Sequence, residues 1–411
     1  MEHIKVKAAV IGGGASGYTA AIGLARRMGK GSTVILERQQ KTGRKLLSTG
    51  NGRCNISNEN VSTEHYHGDA EIIRSVIGGF SAGDMKDYFL SLGVLLRSDG
   101  GGRIYPHSNQ AATILDAFKR ECVRLGVKEH CSFVTRRIKP VNGGFSVISD
   151  DAEVHCGRLI IAAGSKAFPQ SGADSSGYDL LSGLNIRHTE LFPALCPVNT
   201  AENCKSLKGV RAKGSVSLIA DGRVLRTSAG EIQFTENGIS GICVFDLSRS
   251  VNEFFLRGTA DGVPCKKLQI AADVMNGLSF NGLCAYIEGC VRLFAAAPAG
   301  EILSGALNVQ LSRFIVKACG LSGKLCGELA AREIKQIASC AKKLIFTPSG
   351  MSSFSSAQVC AGGVDSSEVY ADTLMSRKHK GLYICGELLD ADGDCGGFNL
   401  HFAIASAHRI I

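Results

Sequence analysis

Three glycines near the start of the chain have a spacing that suits the binding of phosphate groups. Gly12, Gly14 and Gly17 form the pattern G-x-G-x-x-G between a predicted strand and a predicted helix. The first glycine permits a tight turn, the second lets the backbone approach a pyrophosphate, and the third lets helix and strand pack closely. A helix N-terminus also presents free N–H groups, so Ala15 and Ser16 belong to the same candidate site. The pattern predicts binding of a dinucleotide.

An acidic residue follows at the distance at which such sites bind ribose. Glu37 stands 20 positions after Gly17, at the end of a short apolar strand predicted for Thr33–Leu36. Its carboxylate can accept hydrogen bonds from an adenosine ribose and would repel a 2′-phosphate. The turn and the acid therefore favour FAD or NAD over NADP, without separating the first two.

Two more segments favour FAD over NAD. The loop from Gly43 to Asn55 supplies glycines and cations for phosphate groups. The segment from Gly386 to Leu400 follows a predicted strand, and its carboxylates and helix N-terminus suit ribityl hydroxyls and a reduced flavin ring. We therefore expect non-covalent FAD. The further candidate residues are Arg38, Gly43, Arg44, Lys45, Leu46, Ser48, Gly52, Arg53, Cys54, Asn55, Ala163, Gly164, Gly386, Glu387, Asp390, Gly397, Phe398, Asn399 and Leu400.

Strands that run into glycine must position these groups. Lys5–Ile11 is predicted as a strand and Tyr18–Met28 as a helix, which with Thr33–Leu36 make a βαβ unit. Arg158–Ala163 and Gly381–Cys385 are two more apolar strands, each followed by glycine. Because ligands bind at the carboxyl ends of parallel strands, we expect these distant segments to lie in one α/β sheet.

The middle of the chain has a different pattern. Short alternating stretches from about 194 to 250 predict antiparallel β structure with a hairpin turn at Asp221-Gly222. Apolar spacing predicts helices from about 263 to 340, beginning with KKLQIAADVMNGL, and a strand returns at Leu344–Thr347. The predicted domains are the first part of a FAD-binding domain (1–193), an inserted substrate domain (194–343) and the second part of the FAD-binding domain (344–411).

Composition limits the class of protein. The 411 residues are 45% hydrophobic and 20% charged, which excludes bulk disorder, and the 50 glycines follow no collagen period. The net charge of +9 is spread along the chain, and the absence of Trp leaves few platforms for stacking bases. A small organic molecule is therefore the expected partner and nucleic acid a less favoured one, while the oligomeric state stays open.

Cysteine use and the first residues indicate the compartment. None of the 16 cysteines belongs to a C-x-x-C pair, so neither a zinc ribbon nor a dithiol motif is expected, and no metal centre is predicted. The chain begins with a predicted strand rather than a signal peptide, and no apolar stretch reaches ~18 residues. We expect a cytoplasmic protein with reduced thiols and no membrane span.

Several longer motifs together resemble one known family. They are GGGASG (12–17) with Glu37, GRKLLSTGNGRCNISN (43–58), GGRIYPHS (101–108), IIAAGSKAFPQSGADSSGY (160–178), EIQFTENGISG (231–241), AQVCAGGV (357–364) and GLYICGELLDADGDCGGFNL (381–400). Over nearly its whole length the chain resembles the BaiN-like, or aminoacetone-oxidase-type, family of FAD-binding NAD(P)/FAD-dependent oxidoreductases. Similar sequences more often carry Thr at the position of Cys360, and Tyr and Gln at those of Phe398 and His401.

The resemblance implies a fold and a reaction. The fold is a Rossmann-like FAD-binding domain in two sequence segments, with an inserted β-barrel plus helical domain. The reaction is hydride transfer between NAD(P)H and an organic substrate, and we favour reduction of an activated C=C or C=O bond in a bile-acid or steroid-like molecule. Because the sequence has no second G-x-G-x-x-G turn, NAD(P)H is expected to bind transiently.

Three residues in or near these motifs are candidates for catalysis. Arg103 and His107 in the GGRIYPHS motif, and His401 on the last predicted helix, are the candidates. Arg103 would stabilise an enolate, and either histidine would deliver a proton. Two other functions stay open, an amine or aminoketone oxidase that uses oxygen and a flavoprotein that acts on RNA. The RNA alternative would use basic residues of the insertion, namely Arg211, Lys213, Arg223 and Arg226.

Overall fold

The computed structural model describes residues 2–411, which divide into two compact units. One unit contains Met1–Phe192 and Gln358–Ile411, and the other contains Pro193–Ala357. Each unit has its own cluster of buried apolar side chains. The second boundary follows residue 357 rather than residue 343, because Leu344–Phe346 pairs with a strand of the second unit.

The first segment of the first unit contains ten strands and six α-helices among its described residues. The strands are β1 (Glu2–Ile11), β2 (Thr33–Leu36), β3 (Ser57–Asn58), β4 (Tyr66–Gly68), β5 (Leu96–Ser98), β6 (Arg103–Pro106), β7 (Lys128–His130), β8 (Arg137–Val141), β9 (Gly144–Ile148) and β10 (Ala152–Ile161). The helices are α1 (Ala15–Met28), α2 (Arg44–Ser48), α3 (Ala70–Gly78), α4 (Ala82–Ser91), α5 (Ala111–Leu125) and α6 (Ser176–Ser182). Short 3₁₀ helices lie at Thr49–Gly52, Thr63–His65 and Pro169–Ser171.

The second unit combines antiparallel strands with helices. Strand β11 (Phe192–Ala194) contains the boundary, and it is followed by β12 (Val198–Asn199), β13 (Arg211–Ala220), β14 (Arg223–Thr235), β15 (Gly238–Ser240), β16 (Thr259–Ala260), β17 (Val263–Pro264), β18 (Leu268–Asp273) and β19 (Leu344–Phe346). The α-helices are α7 (Ile242–Arg257), α8 (Phe280–Leu293), α9 (Val309–Ala318) and α10 (Ala331–Lys342). Short 3₁₀ helices lie at Lys205–Leu207, Ala299–Glu301 and Cys326–Glu328.

The last segment returns to the first unit. Its elements are β20 (Val359–Ala361), β21 (Leu382–Ile384), a 3₁₀ helix at Gly386–Leu388, β22 (Ala391–Gly393) and α11 (Phe398–Ile410). Helix α11 packs against α1, so the two ends of the chain share one core.

The central sheet of the first unit has the strand order β7-β2-β1-β10-β9-β8, and β21 also pairs with β10. Strands β1, β10 and β21 are parallel neighbours, with Ile11 opposite Ile161 and Ile161 opposite Ile384. The prediction that three glycine-ending strands share one sheet is therefore confirmed. Their carboxyl ends meet at one edge, where ligands of such sheets bind.

Continuous apolar runs explain why these strands are central. Ala8, Ala9 and Val10 of β1 and Ile35 of β2 are fully buried, as expected for parallel strands covered on both faces. The predicted βαβ unit is present, and its helix begins at Ala15 rather than Tyr18. Sequence spacing and structure agree closely in this part of the chain.

The sheet of the second unit closes on itself. Its strand order is β12-β15-β14-β13-β18-β19. Thr200 and Pro348 form an antiparallel bridge between its two edges, and the Ala201 N–H donates to the Thr347 carbonyl over 2.8 Å. The resemblance therefore gave the right architecture, a barrel with added helices.

One predicted hairpin is confirmed and one predicted helix is wrong. Asp221 and Gly222, with φ of 47° and 84°, form the turn between β13 and β14. The segment KKLQIAADVMNGL was predicted as a helix, yet its central residues form β18. Leu268 and Ile270 face the core there, and pairing with strands on both sides outweighs the helical spacing of the apolar residues.

Within residues 2–411, none of the helices combines the length and apolar character that a membrane crossing requires.

Candidate functional site

The turn after β1 is packed so closely that two of its glycines cannot carry a side chain. Gly12 has φ of 105°, and a Cβ added there would lie 2.4 Å from the Ala162 carbonyl oxygen. A Cβ added at Gly17 would lie 1.9 Å from the carbonyl oxygen of Gly12. These glycines hold the turn, the end of β10 and the start of α1 together, as the sequence pattern predicts.

Gly14 differs from both because it faces open space. A Cβ added at Gly14 would meet nothing within 4 Å. Gly14 is also the N-cap of α1, and no side chain caps that helix. The free N–H groups of the first helical turn, which includes Ala15 and Ser16, therefore adjoin a backbone position that a pyrophosphate can approach. The turn fits the cofactor that the sequence predicts.

The Glu37 carboxylate is held beside this turn. Its Oε2 accepts the Gly13 N–H and its Oε1 accepts the Gln39 N–H, each over 2.8 Å. A carboxylate oxygen can accept more than one hydrogen bond, so Glu37 retains acceptor capacity for ribose hydroxyls. The neighbouring Arg38 forms an ion pair with Asp174. The Asp174 carboxylate therefore neutralises part of the positive charge that the sequence predicts Arg38 to offer the cofactor.

Helix α2 carries the first half of the predicted cofactor loop. Arg44 donates to Gln39 Oε1 over 2.9 Å and to the Gln170 carbonyl over 3.2 Å. It therefore links the two loops that contain these glutamines. Lys45 lies next to it and forms an ion pair with Glu387, with 2.6 Å between Nζ and Oε2. In the same segment Gly43 donates its N–H to the Gly13 carbonyl, Leu46 is buried, and Ser48 bonds the Lys45 carbonyl.

The second half of the loop contains one unsatisfied polar atom. Asn55 Oδ1 is buried and has no hydrogen-bond partner within residues 2–411, so it is available to a bound donor. The exposed Arg53, after Gly52, lies over the Tyr105 ring at 5.2 Å from its centroid. Burial raises the pKa of the Cys54 thiol to about 12, so this cysteine stays protonated.

The ends of β10 and β21 contribute two more predicted positions. A Cβ added at Gly164, which follows Ala163, would meet nothing within 4 Å, so this backbone also faces open space. A Cβ added at Gly386 would lie 2.6 Å from Ser16 Oγ. Gly386 thus packs directly on the first turn of α1, and its N–H donates to Ser406 Oγ over 2.9 Å.

Two carboxylates predicted for the ribityl chain lie on this last segment. Glu387 binds Lys45 through Oε2 and accepts the Cys360 N–H at Oε1 over 3.2 Å. Asp390 accepts a hydrogen bond from Thr189 Oγ1 over 3.2 Å. Burial raises the pKa of both Cys360 and Cys385, the latter to about 12, so neither thiol is poised for reaction.

The start of α11 is built from tight backbone contacts. A Cβ added at Gly397 would lie 2.3 Å from the Ser57 carbonyl oxygen. Asn399 accepts the Gly393 N–H over 2.8 Å and donates to the Gly393 carbonyl over 2.7 Å, so its carboxamide closes the loop. Phe398 is buried and Leu400 is half-buried beside it.

The three predicted catalytic residues have very different surroundings. Arg103 is half-buried, and its guanidinium has no ion-pair partner within residues 2–411. His107 is exposed just after β6, and its backbone N–H donates a hydrogen bond to the Leu95 carbonyl over 2.8 Å. Of these two, Arg103 is the better placed to act on a bound anion.

His401 conflicts with its predicted role in proton delivery. It is 0% exposed, with Nδ1 2.8 Å from Ser57 Oγ and Nε2 2.9 Å from the Phe80 carbonyl oxygen. Burial lowers its pKa to about 4, so it is neutral near pH 7. Both nitrogens are occupied inside the core, and His401 is a packing residue.

A histidine pair that the sequence analysis missed lies beside Phe398. His65 Nδ1 is 3.0 Å from Asp394 Oδ2, and His67 Nε2 is 3.2 Å from Asp394 Oδ1. The His65 ring stacks on Phe398 with 4.3 Å between centroids. His65 ends the 3₁₀ helix Thr63–His65 and His67 lies in β4, so no single helical or strand period links the two histidines in the sequence.

Comparisons with known proteins cover nearly the whole chain. A family model described as HI0933-like protein Rossmann domain matches residues 6–410. The chain is 35% identical over 402 residues to the 3-dehydro-bile acid delta(4,6)-reductase of Clostridium scindens, covering 97% of this chain and 96% of that protein. It is 27% identical over 411 residues to the ribosomal RNA dihydrouridine synthase of Escherichia coli, with the same coverage of 97% and 96%.

Similarity among solved structures is weaker. The 3-ketosteroid-delta4-(5alpha)-dehydrogenase of Rhodococcus jostii RHA1 aligns with a TM-score of 0.45 and 13% identity, covering 99% of this chain and 96% of that one.

Proposed function

The chain belongs to the HI0933-like Rossmann family, and we propose that it is a FAD-dependent reductase of C=C bonds conjugated to a carbonyl group. The observation that carries the proposal is the meeting of four parallel strand ends, those of β1, β2, β10 and β21, at one edge of the sheet. They bring Gly14, Glu37 and the Lys45–Glu387 pair together from opposite ends of the chain. An extended cofactor with a pyrophosphate and a distant ring requires such a set of groups.

Each part of this edge has a distinct task in the proposal. The uncapped N-terminus of α1 binds the pyrophosphate, and Glu37 accepts hydrogen bonds from the adenosine ribose. Glu387, oriented by Lys45, binds hydroxyls of the ribityl chain, and Asn55 Oδ1 accepts a hydrogen bond from the cofactor. FAD, when bound, supplies reversible hydride transfer between NAD(P)H and the substrate.

The names of the two relatives suggest the substrate class. A 3-dehydro-bile acid with 4,6 double bonds and a uridine base each contain a C=C bond conjugated to a carbonyl. Reduction adds a hydride to the far carbon and a proton to the carbon next to the carbonyl, while NAD(P)H becomes NAD(P)⁺. We assign a bile-acid or steroid-like enone as the substrate, because the reductase is the more similar relative at 35% identity.

Two groups of residues suit the charge and the proton of this reaction. Negative charge develops on the carbonyl oxygen as the hydride arrives, and the unpaired Arg103 guanidinium would stabilise it. His65 and His67 share the Asp394 carboxylate, which orients both rings for proton transfer. The buried His401 has no part in this scheme.

The RNA alternative has weaker support from the charges. Of the four basic residues predicted to contact RNA, Arg211 is paired with Glu231 and Arg226 with Asp261. Paired cations add less to phosphate binding than free ones, because binding must first displace the carboxylate. Reduction of a uridine in RNA therefore remains a second outcome of the test rather than the proposal.

An anaerobic two-step experiment tests the proposal. The purified protein is reconstituted with FAD and mixed with NADH or NADPH while flavin absorbance is followed. The reduced protein is then mixed with a 3-oxo-4,6-diene steroid acid, with a saturated 3-oxo steroid acid, with a uridine-containing ribosomal RNA fragment or with oxygen. We expect bleaching by at least one nicotinamide and rapid, stoichiometric reoxidation by the diene but not by its saturated analogue.

Three outcomes would contradict the proposal, each in a different way. Failure to bind FAD would remove the cofactor assignment. Reoxidation by RNA alone would transfer the activity to the second relative's substrate, and reoxidation by oxygen alone would favour the oxidase alternative.

A further inference from the structure

A group of metal-binding side chains lies at the opposite end of the central sheet from the cofactor turn. Within residues 2–411, one potential ligand atom from each of His3, Glu153 and His155 lies within 4.8 Å of the others. His3 belongs to β1, and the other two belong to β10. No predicted motif includes these residues, and the proposed function does not use them.

Strand pairing explains why the three side chains meet. His3 lies opposite Glu153 in the parallel pair β1–β10. Since side chains alternate between the faces of a strand, His155 projects from the same face as Glu153, two positions further along. The three donors are therefore positioned by backbone hydrogen bonds of the sheet rather than by a loop.

The distances suit a small transition-metal ion. His3 Nδ1 is 3.5 Å from Glu153 Oε2, and His155 Nε2 is 3.3 Å from Glu153 Oε1. Ligands of a tetrahedral zinc site, with bonds of about 2.0–2.1 Å, lie about 3.3 Å apart. The side chains of His3, Glu153 and His155 are 66%, 22% and 43% exposed, so water can complete the coordination.

We propose that His3, Glu153 and His155 bind a divalent transition-metal ion of the zinc type, with water in the open position. Two imidazoles and one carboxylate favour Zn²⁺, Co²⁺ or Ni²⁺ over Mg²⁺ and Ca²⁺, which prefer oxygen ligands. The first five residues of β1, Glu2–Val6, pair with β10 and precede the residues that pair with β2, so the metal would stabilise the pairing of this end of β1.

Neighbouring groups set the expected strength. Ser146 donates a hydrogen bond to Glu153, which fixes the carboxylate in place. Lys5 lies opposite His155 in the strand pair. The Ser146 hydrogen bond and, less strongly, the positive charge of Lys139 lower the pKa of Glu153. The two cations, Lys5 and Lys139, would repel a bound metal ion. Micromolar rather than nanomolar affinity is therefore expected. Eight residues of strand, about 26 Å, separate the site from Ile11 at the cofactor edge.

Cobalt titration provides a test that thiols cannot mimic. The full-length protein, with any polyhistidine tag removed and metals chelated, is titrated with Co²⁺ while absorbance is recorded. Cobalt held by imidazole and carboxylate gives weak visible bands, whereas cobalt bound to any of the 16 cysteines adds intense near-ultraviolet charge transfer. We expect one equivalent of Co²⁺ with visible bands alone, and a higher thermal unfolding midpoint.

Matched histidine variants locate the site. His155→Gln and His3→Gln should weaken Co²⁺ binding at least about 10-fold. His188→Gln, which removes an exposed imidazole elsewhere, should leave it unchanged. Bound flavin, measured in the same samples, reports that every variant is folded, and it is not expected to change with metal. Absence of saturable binding below about 100 μM, or equal binding by the three variants, would overturn the proposal.

Discussion

Lys45 and Glu387 form an ion pair with 2.6 Å between Nζ and Oε2, although 342 positions separate them in the chain. Their side chains are 32% and 18% exposed, so solvent screens the pair only in part. Glu387 also accepts the Cys360 N–H. The pair therefore fastens the first predicted cofactor loop to the segment that closes the first unit.

Removing the charge of Glu387 should weaken FAD binding. Glu387→Gln keeps the shape and the acceptor for the Cys360 N–H but leaves Lys45 without its carboxylate. In the proposal the Glu387 carboxylate accepts a hydrogen bond from a ribityl hydroxyl of FAD. Loss of such a charge-assisted hydrogen bond costs about 1.5 kcal/mol, which corresponds to about a 10-fold rise in the FAD dissociation constant. Fluorescence titration of the apoprotein with FAD measures this dissociation constant. Asp150→Asn, which breaks the exposed pair with Arg136, is the control, and equal affinities in both variants would contradict the role of Glu387.

Two glycines of the first turn should respond differently to substitution. Gly14→Val adds a side chain where the protein leaves open space, so the fold should persist while FAD affinity falls about 10- to 100-fold. Gly17→Ala places a methyl group 1.9 Å from the Gly12 carbonyl oxygen, which should destabilise the protein by about 2 kcal/mol.

Chemical denaturation and flavin absorbance together separate the two effects. A Gly14→Val protein with full FAD occupancy would show that the pyrophosphate lies elsewhere. A Gly17→Ala protein as stable as the parent would contradict the close packing of the turn.

Local patterns predicted the first strand–turn–helix unit and the glycine-ending strands well. The spacing of Gly12, Gly14 and Gly17 depends only on a strand, a turn and a helix that adjoin in sequence, and the structure has all three. The strands before Gly164 and Gly386 were also recognisable, because buried parallel strands are nearly continuous apolar runs and a glycine follows each run in this sequence.

Features that depend on distant contacts could not be predicted. Nothing local indicates that Lys45 meets Glu387, or that β18 would lie between two strands rather than form a helix. His401 closely follows a segment whose pattern suits a flavin ring, yet its side chain points into the core toward Ser57 and Phe80. The direction in which a helix faces is set by what packs against it, which a single motif does not contain.

Buried histidine should make stability depend on pH. The pKa of His401 is lowered by burial to about 4, whereas an unfolded histidine titrates near 6.5. Between these values the unfolded chain binds the proton that the folded protein excludes, so stability falls as pH falls from about 6.5 toward 4. At pH 5 the loss from this residue approaches about 2 kcal/mol.

Comparison with a non-titrating side chain isolates the effect. His401→Gln should show a smaller decrease in denaturation midpoint between pH 7 and pH 5 than the parent protein. Some dependence will persist, because burial and Arg26 lower the pKa of His408 to about 4 as well. If the denaturation midpoint falls equally in both proteins between pH 7 and pH 5, His401 is not held neutral in the folded protein.

The histidine pair at Asp394 should act in substrate reduction and not in reduction of the flavin. His67→Gln removes an imidazole 3.2 Å from Asp394 Oδ1 but leaves the packing of His65 on Phe398. A positioned general acid contributes about 100-fold or more to rate, so reoxidation by an enone should slow by about that factor. Bleaching by NAD(P)H requires no proton at the substrate carbon and should be unchanged.

His107→Gln, at an exposed position after β6, tests the earlier candidate in the same assay. Equal slowing of both half-reactions by His67→Gln would indicate a disturbed cofactor site, and a selective loss in His107→Gln instead would move proton delivery to the GGRIYPHS motif.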